Sequence, residues 1–224
     1  AGFRSVLGVA IIPPYETYIP YEVYIAPGLI AMIQLFNGMQ SSLSMVYDRE
    51  MGSMKTMLVS PIPRWFLLCS KLFAGVFVSI LQVYAFLLIA SFWDIIPPVS
   101  GYFTILPALI ISGLMLGALG MFLSSAIKQL ENFAGVMNFV IFPMFFASSA
   151  LYPLWKIEET SEWLYLVCFY NPFTYAVESI RFSLYSQINF EYSAGIIIFT
   201  LIFLFLSIMG YDPSRGNLQK KGGK

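Results

Sequence analysis

Apolar residues fall along this chain in blocks of about twenty, separated by short stretches rich in charge, proline and asparagine. Stretches such as FVSILQVYAFLLIASFW and AGIIIFTLIFLFLSIMG are apolar on every side. They show neither the polar-apolar alternation of a barrel strand nor the one-sided stripe of a surface helix. As helices rising 1.5 Å per residue, such runs cross a hydrocarbon layer of about 30 Å. Five spans are predicted, at about 27–47, 72–93, 103–127, 133–152 and 193–211. The link KQLEN makes the third and fourth a tight hairpin. Between the fourth and fifth, WLYLVCFY is too short to cross and runs into Asn171-Pro172, which predicts a re-entrant helix pair over 153–182. The pattern predicts an all-α fold, a polytopic membrane helical bundle.

Composition agrees with the pattern. The 224 residues are 58% hydrophobic and 11% charged, with mean hydropathy +0.77, against roughly a quarter charged in soluble domains. The lipid bilayer is therefore the expected surrounding. Zero net charge leaves no global basic surface and excludes a nucleic-acid partner. No histidine is present, which removes the commonest metal ligand and the usual near-neutral proton shuttle. Cys69 and Cys168 fall on opposite sides of the predicted membrane, so they form neither an internal disulfide nor a zinc site. The early stretch GVAIIPPYETYIPYEVYIAP, broken by Pro13, Pro14 and Pro20, reads as an ordered tyrosine-rich loop and not as a signal peptide.

Charge then sets orientation. Five spans put Arg49, Lys55, Arg64, Lys71, Lys128, Arg215, Lys220, Lys221 and Lys224 on one side and only Arg4, Lys156 and Arg181 on the other. The lysine-arginine excess marks the first side as cytoplasmic. A multi-pass protein of the plasma membrane, in bacteria the inner membrane, with its C-terminus in the cytoplasm, is expected. The other side carries Glu16, Glu22, Asp94, Glu158, Glu159 and Glu162, while Trp93, Trp155 and Trp163 lie near that boundary as interfacial anchors do. An odd number of spans leaves the N-terminus outside, and the simplest repair is a six-span fold whose first helix lies upstream of Ala1.

The cytoplasmic stretch VYDREMGSMKTMLVSPIPRW is unusual for so apolar a chain. Its four charges between Asp48 and Lys55 would together cost roughly 10 kcal/mol or more at the bilayer centre, so they lie outside it. Tyr47, Met51, Met54 and Leu58 nevertheless share one helical stripe, and Pro61 ends the helix near Ser60. This predicts a helix over 48–60 with a methionine-rich edge, suited either to the membrane surface or to a groove on a soluble partner.

DREMGSMKTMLVSPIPR resembles the segment after the second span of ABC-2 type (type-2 ABC exporter) permeases, the family of drug-resistance, nodulation-factor and polysaccharide exporters. YIAPGLIAM resembles the start of that family's second span and NPFTYAVESIRF the segment before its last. The resemblance implies that 48–60 is a coupling helix contacting an ABC ATPase subunit. Arg49, Glu50, Gly52, Ser53, Leu58, Ser60 and Pro61 stand at the matching positions, with Ser53 where threonine is commoner. Lys55 joins this coupling set, and Lys128 and Glu131 lie on the same side as secondary contacts. It also implies a single transmembrane domain over 1–224, a second permease subunit, identical or different, and closure of the outer pathway around Asn171, Pro172, Glu178 and Arg181. The chain itself is expected to bind no cofactor, metal or catalytic residue set, with ATP and magnesium on the ATPase partner.

Two further observations bear on function. The predicted spans carry no Asp, Glu, Lys or Arg in their apolar interiors, where ion-coupled carriers place them. No G-x-x-x-x-G-K-[ST] phosphate loop occurs either. Energy for transport would have to come from another polypeptide. The competing reading is a membrane anchor or assembly protein that recruits a soluble partner without transport. Finally, Gly113, Gly117 and Gly120 predict close helix packing inside the subunit, and Glu178 and Arg181, three apart, predict an ion pair on one helical face.

Overall fold

The computed structural model describes residues 13–15, 19–51, 64–93, 95, 97–127 and 130–210, apart from the side chains of Arg49, Arg64, Trp65 and Leu130. Among these residues the chain is helical, without strands. The helices are α1 (Tyr21–Glu50), α2 (Arg64–Ser91), α3 (Gly101–Ala126), α4 (Leu130–Phe146), α5 (Leu154–Thr160), α6 (Glu162–Phe169), α7 (Pro172–Leu184) and α8 (Phe190–Gly210). Four of them, α1, α2, α3 and α8, are long and apolar enough to cross a membrane. With 17 residues, α4 sits at the lower limit for a span.

The boundaries differ from the hydropathy pattern in instructive ways. Pro27 lies inside α1, a placement that membrane helices accommodate, so the helix starts at Tyr21. α1 also runs without interruption through Asp48, Arg49 and Glu50 to the edge of the described segment. These charges therefore prolong the helix, and no separate helix begins at 48. The rest of the predicted coupling helix, 52–63, lies outside the described residues.

α4 stops at Phe146 although apolarity continues. The Met144 carbonyl in its last turn and the Ala147 carbonyl just beyond it accept hydrogen bonds from Asn171 Nδ2 at 2.8 and 2.5 Å. This satisfies groups that a helix end leaves open. The segment expected to hold a helix pair instead holds three short helices, because Ser161 and Asn171 each act as an N-cap and restart the helix.

α3 is the centre of the bundle, packed against α1, α2, α7 and α8. Its contact with α1 depends on small residues. A Cβ on Gly38 would lie 2.9 Å from the Gly117 backbone, and one on Gly120 would lie 2.7 Å from the Gly38 carbonyl. The glycine spacing is thus used inside the subunit, as expected. Gln34 of α1 adds a polar tie, donating to the Leu109 carbonyl at 2.7 Å and accepting from Ser112 Oγ at 2.6 Å. Neither amide group is left open in the apolar interior. The outward faces are apolar instead: Phe73, Phe77, Leu81 and Leu88 on α2, and Ile197, Leu201 and Phe205 on α8. Such a surface would be an aggregation hazard in water and is ordinary against lipid.

Candidate functional site

The functional residues gather at the two ends of the bundle. At the basic end, α1 leads into segment 52–63 and α2 leads out of it. Asp48 and Glu50 stand in the last turn of α1, with Glu50 exposed. Asp48 forms an ion pair with Lys71 of α2, and Lys71 Nζ also donates to Ser44 Oγ at 3.4 Å. The sequence reading named Asp48 only as part of a helix and Lys71 only as a basic residue; their pairing across 23 positions has no sequence signal. Gly52, Ser53, Lys55, Leu58, Ser60 and Pro61 fall outside the described residues, as does Lys128. Glu131 is exposed in the first turn of α4.

At the opposite end, α7 is pinned on all sides. Asn171 caps it, Oδ1 accepting from the Phe173 N–H at 2.9 Å, while Pro172 occupies the first turn, where its missing N–H does no harm. Thr174 Oγ1 donates to the Cys168 carbonyl at 2.6 Å, tying α7 back to α6. The two predicted pair members do meet, Arg181 donating through Nη1 to Glu178. They are deeply buried, however, at 4% and 8% exposure, and do not face an interface as a solvated surface pair would.

A buried guanidinium has five donors to satisfy, and the fold supplies partners that the sequence did not reveal. Nη2 donates to the Ser149 carbonyl at 3.0 Å, and Tyr24 Oη donates to the same oxygen at 2.9 Å. The guanidinium carbon lies 4.1 Å from the centroid of the Tyr24 ring, in cation–π range. Tyr15 packs edge-on against Tyr185 with ring centroids 5.0 Å apart, closing the cluster. Burial, only partly offset by the Arg181 charge, holds the Tyr15 hydroxyl above the usual tyrosine range. The density of tyrosines in PPYETYIPYEVY was the available signal, but it reads as a loop throughout, whereas Tyr21 and Tyr24 lie in the first turn of α1.

Between α1 and α2 lies an open cleft of about 390 Å³ lined by Met32, Phe36, Asn37, Gln40, Gln82 and Phe86, among others. Asn37 Nδ2 donates to Gln82 Oε1 across it at 2.7 Å. Among the described residues no group of three or more His, Cys, Asp or Glu could hold a metal ion.

Spanning helices with lipid-compatible outer faces, charged helix ends on one side and a capped, buried ion-pair cluster on the other define a polytopic helical membrane protein. The chain belongs to the ABC-2 type transporter family, whose pattern matches residues 7–185. Among its relatives, the protein named transport permease ycf38 of Cyanophora paradoxa is 28% identical over 190 residues, 84% of this chain and 63% of that protein. The ycf38 permease of Porphyra purpurea is 29% identical over 79% of this chain and 60% of its own length. The Escherichia coli K12 protein named multidrug ABC transporter permease YbhR is 30% identical over 165 residues, 70% of this chain and 42% of that protein. The chain thus spans about three fifths of the ycf38 relatives it matches.

Proposed function

We propose that this chain is the membrane permease of an ATP-driven exporter, moving a hydrophobic or amphipathic substrate by alternating access. A separate ATPase subunit, carrying ATP and magnesium, docks on the α1–α2 end, and a second permease subunit completes the pathway. Arg49, Glu50, Gly52, Ser53, Lys55, Leu58, Ser60 and Pro61 form the docking surface. Asn171, Pro172, Glu178 and Arg181 close the outer end.

The observation that carries this reading is the α1–α2 hairpin. Two long helices flank segment 52–63, α1 carrying Asp48, Arg49 and Glu50 at its end, and each packs on α3, the centre of the bundle. A push on 52–63 would therefore reach the whole subunit through rigid elements. Coupling of this kind requires that the partner contact the two conformations of the permease with different free energy. The amphipathic cleft between α1 and α2 favours a substrate with both apolar and hydrogen-bonding parts.

Co-purification of the full-length permease with its candidate ATPase in lipid tests the reading. Glu50→Arg, which reverses charge at the exposed end of α1, is expected to lower ATPase retention and permease-dependent ATP turnover at least tenfold. Unchanged retention and turnover would leave the segment as an interfacial helix and favour the anchor reading.

A further inference from the structure

We propose that Lys71 is a positioning residue, and that its ion pair with Asp48 clasps the ends of α1 and α2 so that the two helices flanking segment 52–63 in the chain move as one lever. The proposal rests on the docking role given to that segment above. It adds a residue from the second arm of the hairpin, which the motif does not contain.

Asp48 stands in the last turn of α1 and Lys71 about two turns into α2, so the pair bridges the two arms close to where they join 52–63. Ser44 and Asp48 are four apart on α1 and share a face. Lys71 Nζ bonds to both and thus grips a full turn of the neighbouring helix. Just further into the bundle, Ser41 Oγ reaches the Lys71 carbonyl at 3.5 Å. A Cβ on Gly75 would lie 2.9 Å from that same Ser41 oxygen. The helices are therefore in close contact at Ser41–Gly75, and the ion pair ties them together beyond that point.

Beside Lys71 on the same side of α2, Leu68 and Leu72 pack with Met45 and Met121 in a small apolar cluster. This packing resists separation but allows sliding, since apolar contact is not directional. The ion pair, bonded at fixed atoms, resists sliding. Its side chains are 30% and 20% exposed, at the wet edge of the bundle. Such a pair adds little to global stability; what it sets is the register of two helix ends. The Asn37–Gln82 and Ser41–Lys71 bonds also join α1 and α2, but further from 52–63. The ion pair holds the helix ends, where a force on that segment arrives first.

The test uses the full-length permease in lipid nanodiscs with Cys69→Ser and Cys168→Ala, spin-labelled in pairs at the exposed positions Tyr47→Cys, Ser70→Cys and Ala126→Cys. Without any ATPase, the 47–70 distance distribution is expected to be narrow, to widen at least twofold in Lys71→Gln and in Asp48→Asn, and to narrow again in the Asp48→Lys, Lys71→Asp double swap. With a co-purified ATPase subunit, ATP and vanadate should shift the 47–126 and 70–126 distances together in the unsubstituted protein and in the swap. The two shifts should diverge in either single variant. An unwidened 47–70 distribution in the single variants overturns the clasp, and shifts that still track each other overturn the lever. Failure of the ATPase to bind the unsubstituted protein would instead sink the docking reading, and the lever with it, while the 47–70 arm still reads the clasp.

Discussion

At the scale of single residues, the most demanding position is Arg181. Burial opposes its charge, and the fold answers with Glu178, the Ser149 carbonyl and the Tyr24 ring. Removing one partner of a buried pair leaves the other uncompensated and typically costs about 3–5 kcal/mol, whereas replacing both can be nearly neutral. Arg181→Met and Glu178→Gln should each lower the thermal unfolding midpoint in detergent by several degrees. The double variant should lie closer to wild type than either single one. A double variant as unstable as the sum of the singles would show that the pair contributes no mutual compensation. Of this cluster, only the i, i+3 spacing of Glu178 and Arg181 was legible in the sequence. Tyr24 and Ser149 meet across 125 positions, and no local pattern encodes that contact.

Among elements, α3 decides how the bundle closes. Its small face was visible as Gly113, Gly117 and Gly120, but their partners were not. Gly38 and Gly117 let the α1 and α3 backbones touch, and a Cβ on Gly117 would lie 2.5 Å from Leu72 Cδ1. Inserting atoms at such a crossing forces backbone shifts worth about 1–3 kcal/mol. Gly38→Val, whose Cβ would press on the Gly117 backbone, should therefore lower the unfolding midpoint and reduce the folded yield. Gly135, where a Cβ would meet nothing within 4 Å, should accept alanine without loss. Equal behaviour of the two variants would rule out close packing as the role of Gly38. Element ends were read less well than element interiors. The end of α4 depends on Asn171, 24 to 27 positions downstream, and hydropathy carries no information about a cap supplied from another helix.

For the whole molecule, the two ends of the bundle are chemically distinct, and the lysine-arginine bias predicts which side each faces. Tyr47 and Trp163 are both exposed and belong to opposite ends, Tyr47 near the close of α1 and Trp163 on α6. In a protein without Cys69 and Cys168, Trp163→Cys should react with a membrane-impermeant thiol reagent in intact cells, and Tyr47→Cys only after permeabilisation. The reverse pattern would invert the topology and put segment 52–63 out of reach of any cytoplasmic ATPase.

The sequence by itself determined that the chain is a helical membrane bundle, roughly where its spans lie, and which segment concentrates charge. Those properties follow from local hydropathy, because in lipid each helix satisfies its own backbone hydrogen bonds and can be recognised without reference to its neighbours. Only the tertiary structure decided that α1 carries its charges as a continuation of the span, that Asp48 meets Lys71, and that the Glu178–Arg181 pair is buried under tyrosines. The last two join residues from different helices. Their energies depend on how closely the helices approach, and that distance is set by packing.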